Sequence, residues 1–249
     1  MNVARNIIPA IMIYDSLKYL PAFNREITKA RAAGDRDKER EFILKSTDTW
    51  GSHMVKALKV DLRVTGKGNL PEKGPVVFAA NHQGYADIPM TCAALNKFQF
   101  AFVARDDLRR IPLYGKWMSQ IRGIFIDRGD ARSSLKTIDE GIGLIEDGFS
   151  LLVFPEGTRS KGGPVAEFKK GSLRLATKPG VPVIPVTING TYRIFEESGY
   201  VRKGARVDMA IHPPIETKGL DRIAAGNLPA EIERIVKEGI KMMEPGAAI

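Results

Sequence analysis

The chain has 249 residues, 43% of them hydrophobic and 27% charged, which excludes a disordered tail, a collagen-like fibre and a polytopic membrane protein. One cysteine, Cys92, and three histidines, His53, His82 and His212, are too few for an internal disulfide, a thiolate cluster or a multi-histidine site, so no metal is expected. A formal net charge of +9 draws anions, but without zinc-finger spacing or a paired aromatic RNP-like run nucleic acid is not expected among them.

The first segment carries Arg5 and then an apolar run, the outline of a signal peptide. Asp15 and Lys18 interrupt it, and no small-residue cleavage site follows. Its uncharged part, residues 6–14, is shorter than the roughly 17–25 residues of a spanning helix. The pattern predicts a short apolar helix with Ile7, Ile8, Ile11, Met12, Ile13, Tyr14, Leu17 and Leu20. A charged helical stretch follows over residues 24–59, punctuated near Gly34. Such a hairpin either packs its apolar side on the rest of the chain or lies in one membrane leaflet. In the second case Arg25, Lys29, Arg31, Arg36 and Arg40 would face lipid headgroups. The segment alone leaves both open.

After Lys59 the pattern changes. Short β-branched or apolar runs at 60–64, 76–80, 98–104, 121–126, 149–154, 181–188 and 205–211 alternate with helical patterns at 88–96, 131–147, 170–178 and 229–243. Strands alternating with helices predict an α/β fold, a mixed, mainly parallel sheet flanked by helices and preceded by the N-terminal helical hairpin. The expected division is an N-terminal helical, membrane-interfacial segment at 1–59 and an α/β domain at 60–249.

Ligands of open α/β sheets gather at the carboxyl ends of the strands, and three loops at such ends are unusually polar. The first is Asn81-His82-Gln83-Gly84-Tyr85-Ala86-Asp87. A carboxylate five residues after a histidine orients the imidazole and frees its second nitrogen to take a proton from a hydroxyl. Asp87 equally fits a helix cap before Ile88 and Pro89, with His82 a hydrogen-bonded turn residue. The second loop ends in Asp127-Arg128, which on its own is also an ordinary surface pair. The third, Phe154-Pro155-Glu156-Gly157-Thr158-Arg159-Ser160, crowds an acid, a glycine, a hydroxyl and an arginine at one strand end. Gly157 admits close backbone approach, and the Arg159 fork suits phosphate. The sequence has no Walker loop and no Gly-x-Ser-x-Gly elbow.

Asn81-His82-Gln83 with Asp87 resembles the His-x4-Asp motif of glycerolipid acyltransferases. Phe125-Ile126-Asp127-Arg128 resembles their second motif, and Phe154 through Ser160 their third. Val181-Pro182-Val183-Ile184-Pro185-Val186 is similar to the apolar fourth. They occur in the family's order, and the Asn-His-Gln and Glu-Gly-Thr-Arg-Ser sequences are most similar to the 1-acylglycerol-3-phosphate (lysophosphatidic acid) branch.

The resemblance implies direct transfer from a thioester donor, acyl-CoA or acyl carrier protein, to the sn-2 hydroxyl of a lysophosphatidate, with no bound cofactor. It makes His82, oriented by Asp87, the general base. Arg128 and Arg159, helped by Arg105, would bind the acceptor phosphate. Glu156, Gly157 and Thr158 would position the acceptor, the acid holding a glycerol oxygen or an arginine. The segment Val103-Ala104-Arg105 departs from the family's pattern, which has a lysine at the last position. Arginine binds phosphate bidentately rather than as a point charge. Lysophosphatidate and its diacyl product live in a bilayer, so the resemblance favours the interfacial hairpin, an anionic membrane partner and a peripheral or monotopic place on the cytoplasmic face. Two rivals stay open: transfer to another lysolipid, and a catalytically silent lipid-binding protein. The intact His82 and Asp87 speak against the second.

Overall fold

Residues 18, 20–127 and 131–243 are described by the structure, a computed structural model. Most of the apolar helix expected around residues 7–20 therefore lies outside the described residues, as does Arg128. The helical stretch that follows is split by a turn at Gly34, whose φ of +69° suits glycine. Helix α1 (Leu20–Ala32) precedes it, and α2 (Arg36–Leu58) begins where Asp35 accepts the Lys38 backbone N–H at 3.0 Å.

Seven strands then form one sheet in the order β1-β7-β6-β2-β5-β3-β4. They are β1 (Asp61–Thr65), β2 (Val77–Ala80), β3 (Ala101–Arg105), β4 (Ile124–Ile126), β5 (Leu151–Val153), β6 (Val183–Asn189) and β7 (Arg206–Ile211). Strands β6, β2, β5, β3 and β4 run parallel, β7 is antiparallel to β6, and β1 is parallel to β7. Helices α3 (Asp87–Ala94), α4 (Tyr114–Gln120), α5 (Ala131–Glu146), α6 (Arg174–Thr177) and α7 (Arg222–Met243) cover the sheet. The mixed, mainly parallel α/β fold is as the sequence predicts.

Strand periodicity sorts the core into two layers. Along β2, Phe78 and Ala80 join Ile27, Ile43 and Trp50 of α1 and α2, Met90 of α3 and Trp117 of α4. The alternate residues Val77 and Ala79 join Ile145 of α5, Leu175 of α6 and Ile232 of α7. In β6, Ile184, Val186 and Ile188 enter the first layer and Val183 the second. Each fully buried side chain of this size contributes roughly 1.5–3 kcal/mol. Helices α1 and α2 thus share a core with the sheet. At Gly51, α2 lies so close to α3 that a Cβ would stand 2.5 Å from the Ala93 nitrogen.

Three helices differ from expectation. Helix α6 covers only Arg174–Thr177 of the run expected at 170–178. Helix α4 was not anticipated: it is short, contains Gly115 and has little periodicity to read, and it is held by the burial of Trp117 and Met118. Helix α7 starts at Arg222 rather than near Pro229, because Asp221 caps the Ala224 N–H at 2.8 Å and buried Pro229 is accommodated inside the helix.

The cations expected at headgroups are mostly engaged within the chain. Arg31 Nε and Arg122 Nε both donate to Glu39 Oε1 at 2.7 Å, and Arg31 Nη2 donates to the Gln120 carbonyl at 2.6 Å. Arg36 pairs with Asp147 at 2.6 Å, Arg40 with Asp37 at 2.5 Å, and Lys29 with Glu26 at 2.9 Å. Glu39 is buried, and its carboxylate joins α1, α2 and the turn after α4. Burial alone would raise its pKa, but the hydrogen-bonded Arg122 and Arg31 outweigh this and hold it below the usual value.

Candidate active site

Because β6, β2, β5, β3 and β4 are parallel, their carboxyl ends lie on one edge of the sheet, and the loops carrying the first and third sequence motifs meet there. The loop after β2 holds the His–Asp pair. His82 Nδ1 lies 2.5 Å from Asp87 Oδ2, which also accepts the backbone N–H groups of Gln83 at 2.7 Å and Gly84 at 2.9 Å. Asp87 Oδ1 accepts the Thr191 hydroxyl. The carboxylate is fully buried and folds back over the turn that precedes α3, so Asp87 does not act as that helix's cap. Surrounded by donors, it is set to receive an Nδ1–H from His82, which leaves the lone pair of the neutral ring on Nε2. Phe154 stacks on the imidazole, with ring centroids 4.1 Å apart and planes at 18°.

The two amides flanking the histidine fix its loop to the end of β6. Asn81 Nδ2 donates to the Ile188 carbonyl at 2.8 Å, and its Oδ1 accepts the Ile188 N–H at 2.7 Å. The side chain thereby continues the ladder between β2 and β6 where the backbone turns away. Gln83 Oε1 accepts the Gly190 N–H at 2.8 Å. Both amides are buried, and both polar atoms of the Asn81 side chain are bonded.

The third loop runs alongside the first. Ser160 N–H donates to the His82 carbonyl at 2.8 Å and Lys161 N–H to the Gln83 carbonyl at 3.1 Å. Glu156, expected to hold a glycerol oxygen or an arginine, is turned inward onto two backbone N–H groups. Its Oε1 accepts the His82 N–H at 2.6 Å and its Oε2 the Ala166 N–H at 2.8 Å. Burial pushes its carboxyl above the usual range, against the pull of those two N–H groups. Gly157 has a φ of +71°, a backbone conformation that glycine adopts without strain, and Thr158 is exposed.

Arg159 points toward a residue that motif reading missed. Its Nη1 donates to Glu196 Oε1 at 2.8 Å, and its guanidinium carbon stands 3.6 Å from the centroid of the Tyr85 ring. Glu196 follows the short 3-10 helix Thr191–Ile194, and neither it nor Thr191 lies in a recognisable motif. Arg105, the last residue of β3, is exposed and pairs with Asp107 at 2.8 Å. The structure thus bonds His82 to both Asp87 and Glu156, ties Arg159 to the same turn only through Glu196 and the Tyr85 N–H, and leaves Arg105 on the rim.

An α/β sheet whose parallel strand ends carry these loops defines a transferase class that residues 61–189, just over half of the chain, match directly: the family described as Acyltransferase. The chain belongs to that family and is an acyltransferase. A 1-acyl-sn-glycerol-3-phosphate acyltransferase of Borreliella burgdorferi is 32% identical over 180 residues, 72% of this chain and 72% of that protein. A chloroplastic 1-acyl-sn-glycerol-3-phosphate acyltransferase of Arabidopsis thaliana is 36% identical over 163 residues, 64% of this chain and 45% of that one. The chain therefore spans less than half of the plant relative. The crystal structure of PlsC, the 1-acyl-sn-glycerophosphate (LPA) acyltransferase of Thermotoga maritima, superposes with a TM-score of 0.75 at 29% identity, covering 98% of this chain and 100% of that chain.

Proposed function

We propose that the chain transfers a fatty acyl group from a thioester to the sn-2 hydroxyl of 1-acylglycerol-3-phosphate, giving phosphatidic acid. The observation that carries the reading is the 2.5 Å contact between His82 Nδ1 and the buried Asp87 carboxylate, which leaves Nε2 as a base. Nε2 takes the hydroxyl proton as the oxygen attacks the thioester carbonyl. The carbon–oxygen bond forms, the carbon–sulfur bond breaks, and the proton passes from His82 to the departing thiolate. A thioester is already activated, so a base, alignment and charge stabilisation suffice.

Arg159 binds the acceptor phosphate, with Arg105 contributing charge from the rim and Arg128, whose part rests on the family resemblance alone, adding to it. Gly157 and Thr158 border the acceptor, and Glu156 acts on it indirectly by holding the His82 backbone. The donor is acyl-CoA or acyl carrier protein. Both lipids are amphiphiles, so the enzyme works at an anionic membrane surface, held there by its N-terminal segment as a peripheral or monotopic protein of the cytoplasmic face. Among the described residues no helix is long and apolar enough to cross a membrane. The test is acyl transfer from palmitoyl-CoA to lysophosphatidate in mixed micelles, with His82→Ala beside the wild type. The variant should lose about 10²–10⁴-fold in rate, and equal turnover in the two would overturn the reading.

A further inference from the structure

Glu196 is a buried carboxylate that the acyl-transfer scheme leaves without a part. Its side chain is 2% exposed. Oε1 accepts both Arg159 Nη1 and the Tyr85 backbone N–H at 2.8 Å, while Oε2 is buried with no hydrogen-bond partner. The carboxylate reaches this place only because residue 84 has no side chain. A Cβ built on Gly84 would overlap Oε2 and stand 2.7 Å from Cδ. Gly84 lies between His82 and Asp87 in the same turn, and its own N–H is bonded to Asp87 Oδ2.

The consequence falls on Arg159. A free arginine side chain samples many rotamers, and ordering it on binding costs affinity. Here the guanidinium is held at one end by Glu196 and lies over the Tyr85 ring, itself 56% exposed and in edge contact with Phe195. Among the described residues its remaining N–H groups make no bond, and they are the fork that a phosphate takes bidentately. A carboxylate so close to a phosphate site weakens its net charge. The arrangement therefore favours placement of the arginine over raw attraction.

We propose that Glu196 is a positioning residue for the acceptor phosphate: it sets Arg159 against Tyr85, and Gly84 is bare because this carboxylate occupies the space of its side chain. The inference rests on the proposed role of Arg159 and adds a constraint linking the His–Asp turn to the phosphate site.

The test is steady-state kinetics with lysophosphatidate and palmitoyl-CoA for Glu196→Ala, Glu196→Gln, Gly84→Ser and the double variant Gly84→Ser/Glu196→Ala. Glu196→Ala should raise the acceptor KM about tenfold, with kcat and the donor KM within about twofold of wild type. Glu196→Gln, which keeps one acceptor oxygen, should recover most of the loss. Gly84→Ser should raise the acceptor KM about as far as Glu196→Ala does, whatever it does to kcat, and the double variant should show no higher acceptor KM than Glu196→Ala alone, because there is no longer a carboxylate to displace. An unchanged acceptor KM in Glu196→Ala, parallel shifts in both KM values, or multiplying effects in the double variant would each overturn the inference. Titration calorimetry with glycerol 3-phosphate makes the same comparison without turnover. Wild type that binds this ligand but does not acylate lysophosphatidate sinks the proposed reaction alone, whereas equal binding by wild type and Glu196→Ala sinks the positioning role alone.

Discussion

Glu156 Oε1 accepts the backbone N–H of His82 at 2.6 Å, so an acid from the loop after β5 fixes the main chain of a histidine after β2. With Oε2 on the Ala166 N–H, the carboxylate serves two buried donors at once. A glutamine has one acceptor oxygen and would turn its NH₂ toward the other donor. Glu156→Gln should therefore cost about 2 kcal/mol of stability and lower kcat through a displaced His82, measured by denaturant unfolding and acyl-transfer assay. A variant as stable as wild type would show that the two N–H groups find other partners.

Asp87 Oδ2 receives His82 Nδ1 together with two backbone N–H groups. An asparagine keeps the shape but lacks the charge, and it can present an NH₂ to the imidazole, which favours the wrong tautomer. Asp87→Asn should lower kcat about 10²–10⁴-fold with a far smaller change in acceptor KM. Full activity in this variant would mean that the carboxylate only closes the turn.

Glu39 predicts a stability profile on the acid side. Its pKa is held below that of an unfolded glutamate, so the folded state binds this proton less tightly than the unfolded state. The stabilisation is present above the ordinary glutamate pKa of about 4.3 and is lost as pH falls through the lower folded value. Glu39→Gln should cost about 3 kcal/mol at neutral pH by stranding Arg31 and Arg122. Thermal unfolding of the two proteins should converge as the pH drops below about 4. A gap that stays constant with pH would place the loss in packing rather than in charge.

The membrane reading is tested with a cut that spares the core. Ile27, Ile43 and Trp50 belong to the main hydrophobic layer, so a truncation through α1 or α2 would unfold the protein. Removing residues 2–17 should abolish cosedimentation with vesicles containing anionic lipid, while high salt should only weaken binding of the full chain. Undiminished binding after the deletion would assign the membrane surface to another part of the molecule.

Local signals reached the elements that bury one continuous stretch of chain. The strand runs were legible because Val77, Phe78, Ala79 and Ala80 are apolar on both faces of a covered sheet, and the polar loops stood out by contrast at their ends. Helix α4 was not legible, since Trp117 and Met118 gain their stability from distant partners and Gly115 hides the periodicity. The pairing of Arg31 and Arg122 on Glu39 was equally hidden, because charge spacing along a helix says nothing about a turn that arrives from elsewhere in the chain.

The sequence by itself determined the α/β class, the four family motifs and the placing of His82 and Asp87 within one turn, because these depend on residues near each other in the chain. Tertiary structure alone decided the strand order, the clamp of Asn81 on Ile188, the inward turn of Glu156 and the seat of Arg159 between Glu196 and Tyr85. Those contacts join residues from separate loops. They form only once the packing of two apolar layers has set which strand ends are neighbours, and no local pattern carries that choice.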